Sequence, residues 1–175
     1  IVGMGGAAFP SAIKLNLGEQ KKLHTLLLNG AECEPYLTCD DRVMREYPDE
    51  IIDGARIMAH ALGTPRVVIG IEQNKPQAIE IMTKAASAFP SIQIASVPVQ
   101  YPMGSERHLV QAITGLETPA RKLTADLGIV VHNVSTARAV HHAVRFGRPL
   151  VARVVTVSGG AIRKAGNVLA PIGAR

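Results

Sequence analysis

Four times along this chain a short apolar run ends in polar residues and gives way to a stretch with helical spacing. The runs cover residues 23–28, 66–71, 92–99 and 127–131. The clearest helical stretch, residues 50–62, sets Ile51, Ile52, Ala55, Ile57, Met58, Ala59 and Leu62 on helical spacing. Others are predicted over residues 9–17, 76–87 and 108–113, and from the 132–136 loop up to residue 146. Pro76 suits a first helical turn, and Gly63 with Pro65 suits a helix end. Parallel strands need a crossover connection, so runs of this length between helices predict an α/β fold. The expected architecture is a parallel sheet with helices on both faces, over residues 1–150. The rhythm breaks after Gly147, Arg148 and Pro149. Residues 151–175 are predicted to be the start of a small β-rich module that the chain leaves truncated.

Several function classes are excluded early. No apolar run reaches the ~18 residues that cross a bilayer, and the glycine-rich start lacks the basic region of a signal peptide. The net charge is +5, but the cations are scattered and aromatics make up only 3% of the chain. Little is available for stacking bases, so no nucleic-acid partner is expected. Cys33 and Cys39 lie six apart with no further cysteine, so neither a zinc site nor a cluster site is expected. His141 and His142 are adjacent in a predicted helix and do not share a face, so no metal is assigned to them. No Ser/His/acid set and no G-x-S-x-G motif is present, which argues against hydrolysis.

Chemistry concentrates where the predicted strands end. Gly3, Gly5 and Gly6 in GMGGAAFP let backbone N–H groups approach an anion closely. A helix starting near Pro10 would aim its positive end at the same anion, and Lys14 would add a point charge. Gly3-x-Gly5-x-x-Ala8 nominally fits the dinucleotide fingerprint of Rossmann-like folds. That fingerprint needs a preceding strand, and only Ile1 and Val2 come before it, as expected of a cut fragment. A loop that merely turns the chain is the bland alternative. The second loop, 29–36, carries Asn29, Glu32, Cys33 and Glu34. Its two glutamates could form an acid/base pair, or simply cap the helix that follows. Thr38 or Asp40 could also cap that helix. The third loop brings Gly104, Ser105 and Glu106 to a helix start, and the fourth brings Asn133 and Thr136. In open α/β sheets ligands bind beyond the strand C-termini. All four loops fall on that one edge. They suit a phosphorylated, hydrogen-bonding cofactor, with the Asn29 or Asn133 amide facing a flat heterocycle.

Together, GMGGAAFP with Lys14, NGAECEPYLTCDDRVMRE, YPMGSERHLVQAITG and VHNVSTARAV resemble the RnfC family. These are the NADH-side subunits of ion-pumping Rnf electron-transport complexes. A more distant likeness is to the flavoprotein subunit of respiratory complex I, which carries G-x-G-G-A-G-F-P. The resemblance runs in unbroken order through the chain. It implies FMN at the sheet edge, with NADH stacking on it and passing a hydride. Carried over, the first loop supplies Gly3, Gly5, Gly6, Phe9 and Lys14, with Phe9 a stacking face for the nicotinamide nucleotide. The second loop supplies Asn29, Glu32, Cys33 and Glu34. The third supplies Gly104, Ser105 and Glu106, and the fourth Asn133 and Thr136. The protein would orient the cofactors rather than act as an acid or base.

The resemblance further implies the other Rnf subunits and a ferredoxin-type carrier as partners. It places the protein peripherally on the cytoplasmic face of the bacterial inner membrane. Iron–sulfur clusters are expected only in a longer chain, and the tail resembles the opening of a β-grasp-like module. This sequence departs from the pattern at Ala8, where glycine is usual, and at Ala31 and Ser105, where the complex I flavoprotein has acids. A scaffold that has lost its flavin, as in the related component of the sodium-pumping NADH:quinone reductase, is the competing expectation. A free-standing reductase using NAD alone is a poorer one.

Overall fold

The computed structural model describes residues 1–174. The elements run α1 (Ser11–Leu15), a 3-10 turn (Asn16–Glu19), β1 (Thr25–Gly30), α2 (Cys39–Glu46), α3 (Pro48–Leu62) and β2 (Arg66–Glu72). They continue with α4 (Pro76–Ala86), β3 (Ile92–Val97), α5 (Glu106–Thr114), a second 3-10 turn (Thr124–Leu127), β4 (Ile129–Asn133) and α6 (Val134–Phe146). β5 (Ala152–Val157) and β6 (Gly166–Pro171) close the chain as an antiparallel hairpin.

The first four strands form a parallel sheet in the order β3-β2-β1-β4. The strands are apolar runs because both faces of the sheet are covered. Leu26, Leu28, Val67, Ile69 and Val130 face α2, α3, α4 and α6, while Leu27, Ile129 and Val131 face α5. This is the expected two-sided layer arrangement, with most of the helical mass on one face.

The strand order places the site. From β1 the chain builds outward through β2 to β3, then returns to lay β4 on the other side of β1. The direction of winding reverses between β1 and β4. Crevices for ligands open beyond the strand C-termini at such a reversal. Here those ends are Asn29 and Asn133, paired in register.

Three details go beyond the sequence pattern. The stretch from 39 to 62 holds two helices, broken at Tyr47 before Pro48. α1 has five residues, shorter than the 9–17 expectation, because Asn16 begins the 3-10 turn. α3 and α6 cross closely at Gly54, where a Cβ would stand 1.9 Å from the carbonyl oxygen of Ala137.

Candidate functional site

Ten of the fourteen residues singled out in the sequence line one hollow of about 310 Å³ at the β1/β4 reversal. They are Gly3, Gly5, Phe9, Lys14, Asn29, Gly104, Ser105, Glu106, Asn133 and Thr136. Ala7, Ala8, Val131 and His132 complete the lining. Gly6, Glu32, Cys33 and Glu34 lie off it. Gly6 takes a left-handed backbone (φ 101) at the turn of the first loop. The other three line a neighbouring hollow of about 340 Å³ with Glu72, Lys75 and Tyr101.

The first loop is folded over the β4 end. Gly3 N–H donates to the Phe9 carbonyl at 2.7 Å, and Met4 N–H donates to Thr136 Oγ1 at 2.9 Å. A Cβ on Gly5 would stand 3.3 Å from the Asn133 side chain, so the loop sits as close to the fourth loop as a glycine permits. Among the described residues, the N–H groups of Gly5, Gly6, Ala7 and Ala8 have no protein acceptor, and all four residues are exposed. Exposed N–H groups in such a turn can take an anion. The expected support from α1 is weak, since a helix of this length carries little dipole. Ala8 holds φ 50, a left-handed conformation that explains why glycine suits this position better.

Both asparagines are more committed than the sequence suggested. Asn133 Oδ1 accepts from Ser135 N–H (2.8 Å) and Thr136 N–H (3.3 Å), capping α6. Its Nδ2 donates to Asp40 Oδ2 at 2.6 Å and to the Asn29 carbonyl at 3.5 Å. An amide offers two donors and two acceptor lone pairs, so Asn133 is saturated and orders the site instead of facing a ring. Asn29 donates to the Gly104 carbonyl at 2.8 Å and accepts from Ala31 N–H at 3.1 Å. One donor and one lone pair remain to it.

Lys14 is paired within the site. Its Nζ donates to Glu106 Oε2 and to the Val131 carbonyl, each at 2.9 Å, which leaves one proton uncommitted. Glu106 also accepts from Thr124 Oγ1. Ser105 occupies the N-cap of α5 without capping it, so its hydroxyl stays available.

Glu32 resolves the acid/base-or-cap choice. Its carboxylate accepts from Asp40 N–H (2.7 Å) and Asp41 N–H (3.1 Å), capping α2. The expected caps, Thr38 and Asp40, do not act: Thr38 makes no side-chain cap, because its hydroxyl is turned to Asn167. Burial is the main cause that raises the Glu32 pKa, with the Asp40 charge adding to it. Cys33 packs behind the third loop, its Sγ 3.0 Å from where a Gly104 Cβ would be. Cys39 is pushed up to about 11 by burial and nearby carboxylates, so its thiol is unreactive at neutral pH.

Two residues went unnoticed in the sequence. His132 is 5% exposed, its Nε2 buried without a partner, and burial beside the Lys14 ammonium pushes its pKa down to about 3. Lys75, which lines the neighbouring hollow, donates to the Ala31 carbonyl (2.8 Å) and Glu72 (3.3 Å), pinning the second loop. The burial of His132 and the reach of Lys75 to the Ala31 carbonyl both depend on residues distant in sequence. His141 and His142 are taken by Asp53 (2.7 Å) and Glu50 (2.9 Å) on α3. No group of three or more His, Cys, Asp or Glu side chains among the described residues could hold a metal. No described helix is long and apolar enough to cross a membrane.

Comparison with known proteins adds three findings. A family described as the Nuo51 FMN-binding domain matches residues 1–142. The C subunit of the ion-translocating oxidoreductase complex from Rhodobacter capsulatus is 64% identical over 174 residues, covering 99% of this chain and 34% of that protein. The C subunit of a proton-translocating ferredoxin:NAD(+) oxidoreductase complex from Clostridium ljungdahlii is 47% identical, covering 99% of this chain and 38% of that protein. The chain thus spans about a third of the length of these relatives. An NAD+-reducing NiFe hydrogenase, crystallised in the H2-reduced state, shares the fold at a TM-score of 0.85 and 24% identity, over 99% of this chain and 35% of that one.

Proposed function

The chain belongs to the Nuo51 FMN-binding domain family, and from that premise we propose that its β1/β4 hollow holds FMN and exchanges electrons with NAD(H). It does so as part of an RnfC-type subunit of an ion-translocating ferredoxin:NAD oxidoreductase complex. The observation that carries the reading is the run of uncommitted N–H groups from Gly5 to Ala8 at a sheet reversal, with Gly5 sealed against Asn133.

The donor set fits the cofactor. The N–H groups of Gly5–Ala8 would take its phosphate, helped by the third proton of Lys14. The Ser105 hydroxyl and the free half of the Asn29 amide would meet its polar edges. Phe9, 44% exposed at the lip, offers an aromatic face to the nicotinamide nucleotide. When bound, FMN supplies hydride acceptance and one-electron release. The protein orders the loops, keeps the site electrostatics fixed and leaves one face open to NADH. Glu32, Cys33 and Glu34, around the adjoining hollow, shape the approach of the second nucleotide. Glu106 neutralises Lys14 until an anion competes for it.

The other members of the complex and a ferredoxin-type carrier are the partners in this reading, and any iron–sulfur centres lie outside these residues. The location is peripheral, on the cytoplasmic face of a bacterial inner membrane. The test is a titration of the protein with FMN, followed by anaerobic addition of NADH. Bound FMN should lose its fluorescence, and its visible absorption should bleach on NADH. Absence of FMN binding at high micromolar concentration would sink the proposal and favour the scaffold.

A further inference from the structure

The β5–β6 hairpin, read in the sequence as the start of a separate module, reaches back into the site at two places. Arg153 on β5 donates from Nη2 to the carbonyl of Met4 at 3.1 Å. The N–H of that same Met4 is held by Thr136 Oγ1, so the peptide groups on both sides of Met4 are tied. Asn167 on β6 donates to the carbonyl (3.2 Å) and hydroxyl (3.0 Å) of Thr38, and Thr156 on β5 accepts from Thr38 N–H at 3.0 Å. Thr38 leads directly into α2 and Asp40. Asp40 in turn holds the saturated Asn133 at 2.6 Å and Ser135 Oγ at 2.6 Å. The two ties therefore meet behind one wall of the hollow.

We propose that Arg153 is a positioning residue for nucleotide binding: its side chain fixes the glycine-rich loop through the Met4 carbonyl. The inference rests on the FMN reading above. It makes the hairpin part of the site and not an appendage to it.

The chemistry of Asp40 gives the proposal a distinctive readout. Burial raises the Asp40 pKa; the Ser135 and Asn133 hydrogen bonds and the Arg153 charge oppose that rise, and Glu34 adds to it. Glu32 and Cys39 are the other titratable groups that face it. A protonated Asp40 keeps one full acceptor oxygen where the carboxylate had two, so its combined hold on Asn133 and Ser135 weakens as it gains a proton. Removing Arg153 removes an opposing charge, and the proton is taken up at a higher pH.

The experiment compares wild type with Arg153→Met, Arg153→Gln and Arg153→Lys. Arg153 is exposed, so each variant should fold. FMN affinity is measured by fluorescence quenching between about pH 5 and pH 8, and hydrogen exchange is followed over residues 3–9. Arg153→Met should weaken FMN about tenfold and speed exchange in the loop. Arg153→Lys, which keeps both a donor and a charge, should return to within about threefold of wild type. Arg153→Gln, which keeps a donor alone, should protect the loop but shift the acid loss of affinity to higher pH, as Arg153→Met does. Wild-type affinity in all three variants at every pH, with unchanged loop exchange, would overturn the proposal. So would equal weakening by Arg153→Lys and Arg153→Met. If wild type itself binds no FMN, the functional reading fails, while loop exchange still reports on the Arg153 tie.

Discussion

Ala8 and His132 are the two residues of the hollow whose conformation or burial runs against their ordinary preference. Ala8 sits at φ 50 on the hollow wall. A left-handed conformation costs an L-residue about 1–2 kcal/mol, and glycine returns roughly half of the gain through its freer unfolded chain. Ala8→Gly should therefore stabilise the protein by about 0.5–1 kcal/mol, read as a higher denaturant midpoint. A lower midpoint would contradict the loop conformation described. His132 refuses a proton in the folded state that the unfolded chain accepts near its usual pKa of about 6.5. Its folded pKa is depressed to about 3, so the full stability is present above about pH 6.5 and is lost as pH falls towards 3. Glu50 and Asp53 are held low by Arg138 and Arg145, and they add losses only below the ordinary carboxylate range. Between about pH 6.5 and pH 5 His132 is the source of the stability lost on acidification, while Glu32 and Asp40, raised by burial, act in the opposite sense and reduce that loss without causing it. His132→Gln should flatten the slope in denaturation curves taken across that window. An unchanged slope would mean that the imidazole is not held neutral.

At the scale of elements, close packing carries constraints that no periodicity reveals. Gly54 sits inside α3, where glycine weakens a helix, yet a Cβ there would strike the Ala137 backbone of α6. Gly54→Ala should cost about 3 kcal/mol or more, because the whole α3–α6 crossing must open. A thermal melt within a degree or two of wild type would show that the helices are further apart. The Glu32 cap is a second case. Caps are normally sought in the residue just before a helix, and this one comes from seven positions before α2 begins at Cys39. Glu32→Gln leaves a single acceptor for two N–H groups and should cost about 1 kcal/mol, seen in the same melts. The strands themselves were legible, because buried parallel strands are near-continuous apolar runs. The placing of β4 beside β1 and the commitments of Lys14, Asn133 and Arg153 were not, since each joins residues about a hundred or more positions apart. Spacing rules see only neighbours in sequence.

Across the whole molecule, one topological fact converts scattered loops into a site. β4 returns to the far side of β1, the chain leaves those two strands at that reversal, and the glycine-rich loop and the loop after β3 close over the same point. That convergence was foreseeable from the strand–loop–helix rhythm, whereas the division of labour inside it was not. The glycine-rich loop presents unpaired N–H groups, while the asparagines and Lys14 mostly hold the walls together. The loop, and not the amide side chains, is then the main anchor, and the anchor is for a phosphate. The most direct measurement compares FMN with riboflavin, which shares the ring system and lacks the phosphate, by calorimetric titration of the same protein. FMN should bind at least about tenfold more tightly than riboflavin, a difference of about 1.4 kcal/mol or more. Equal affinities for the two, or binding of neither, would contradict the account.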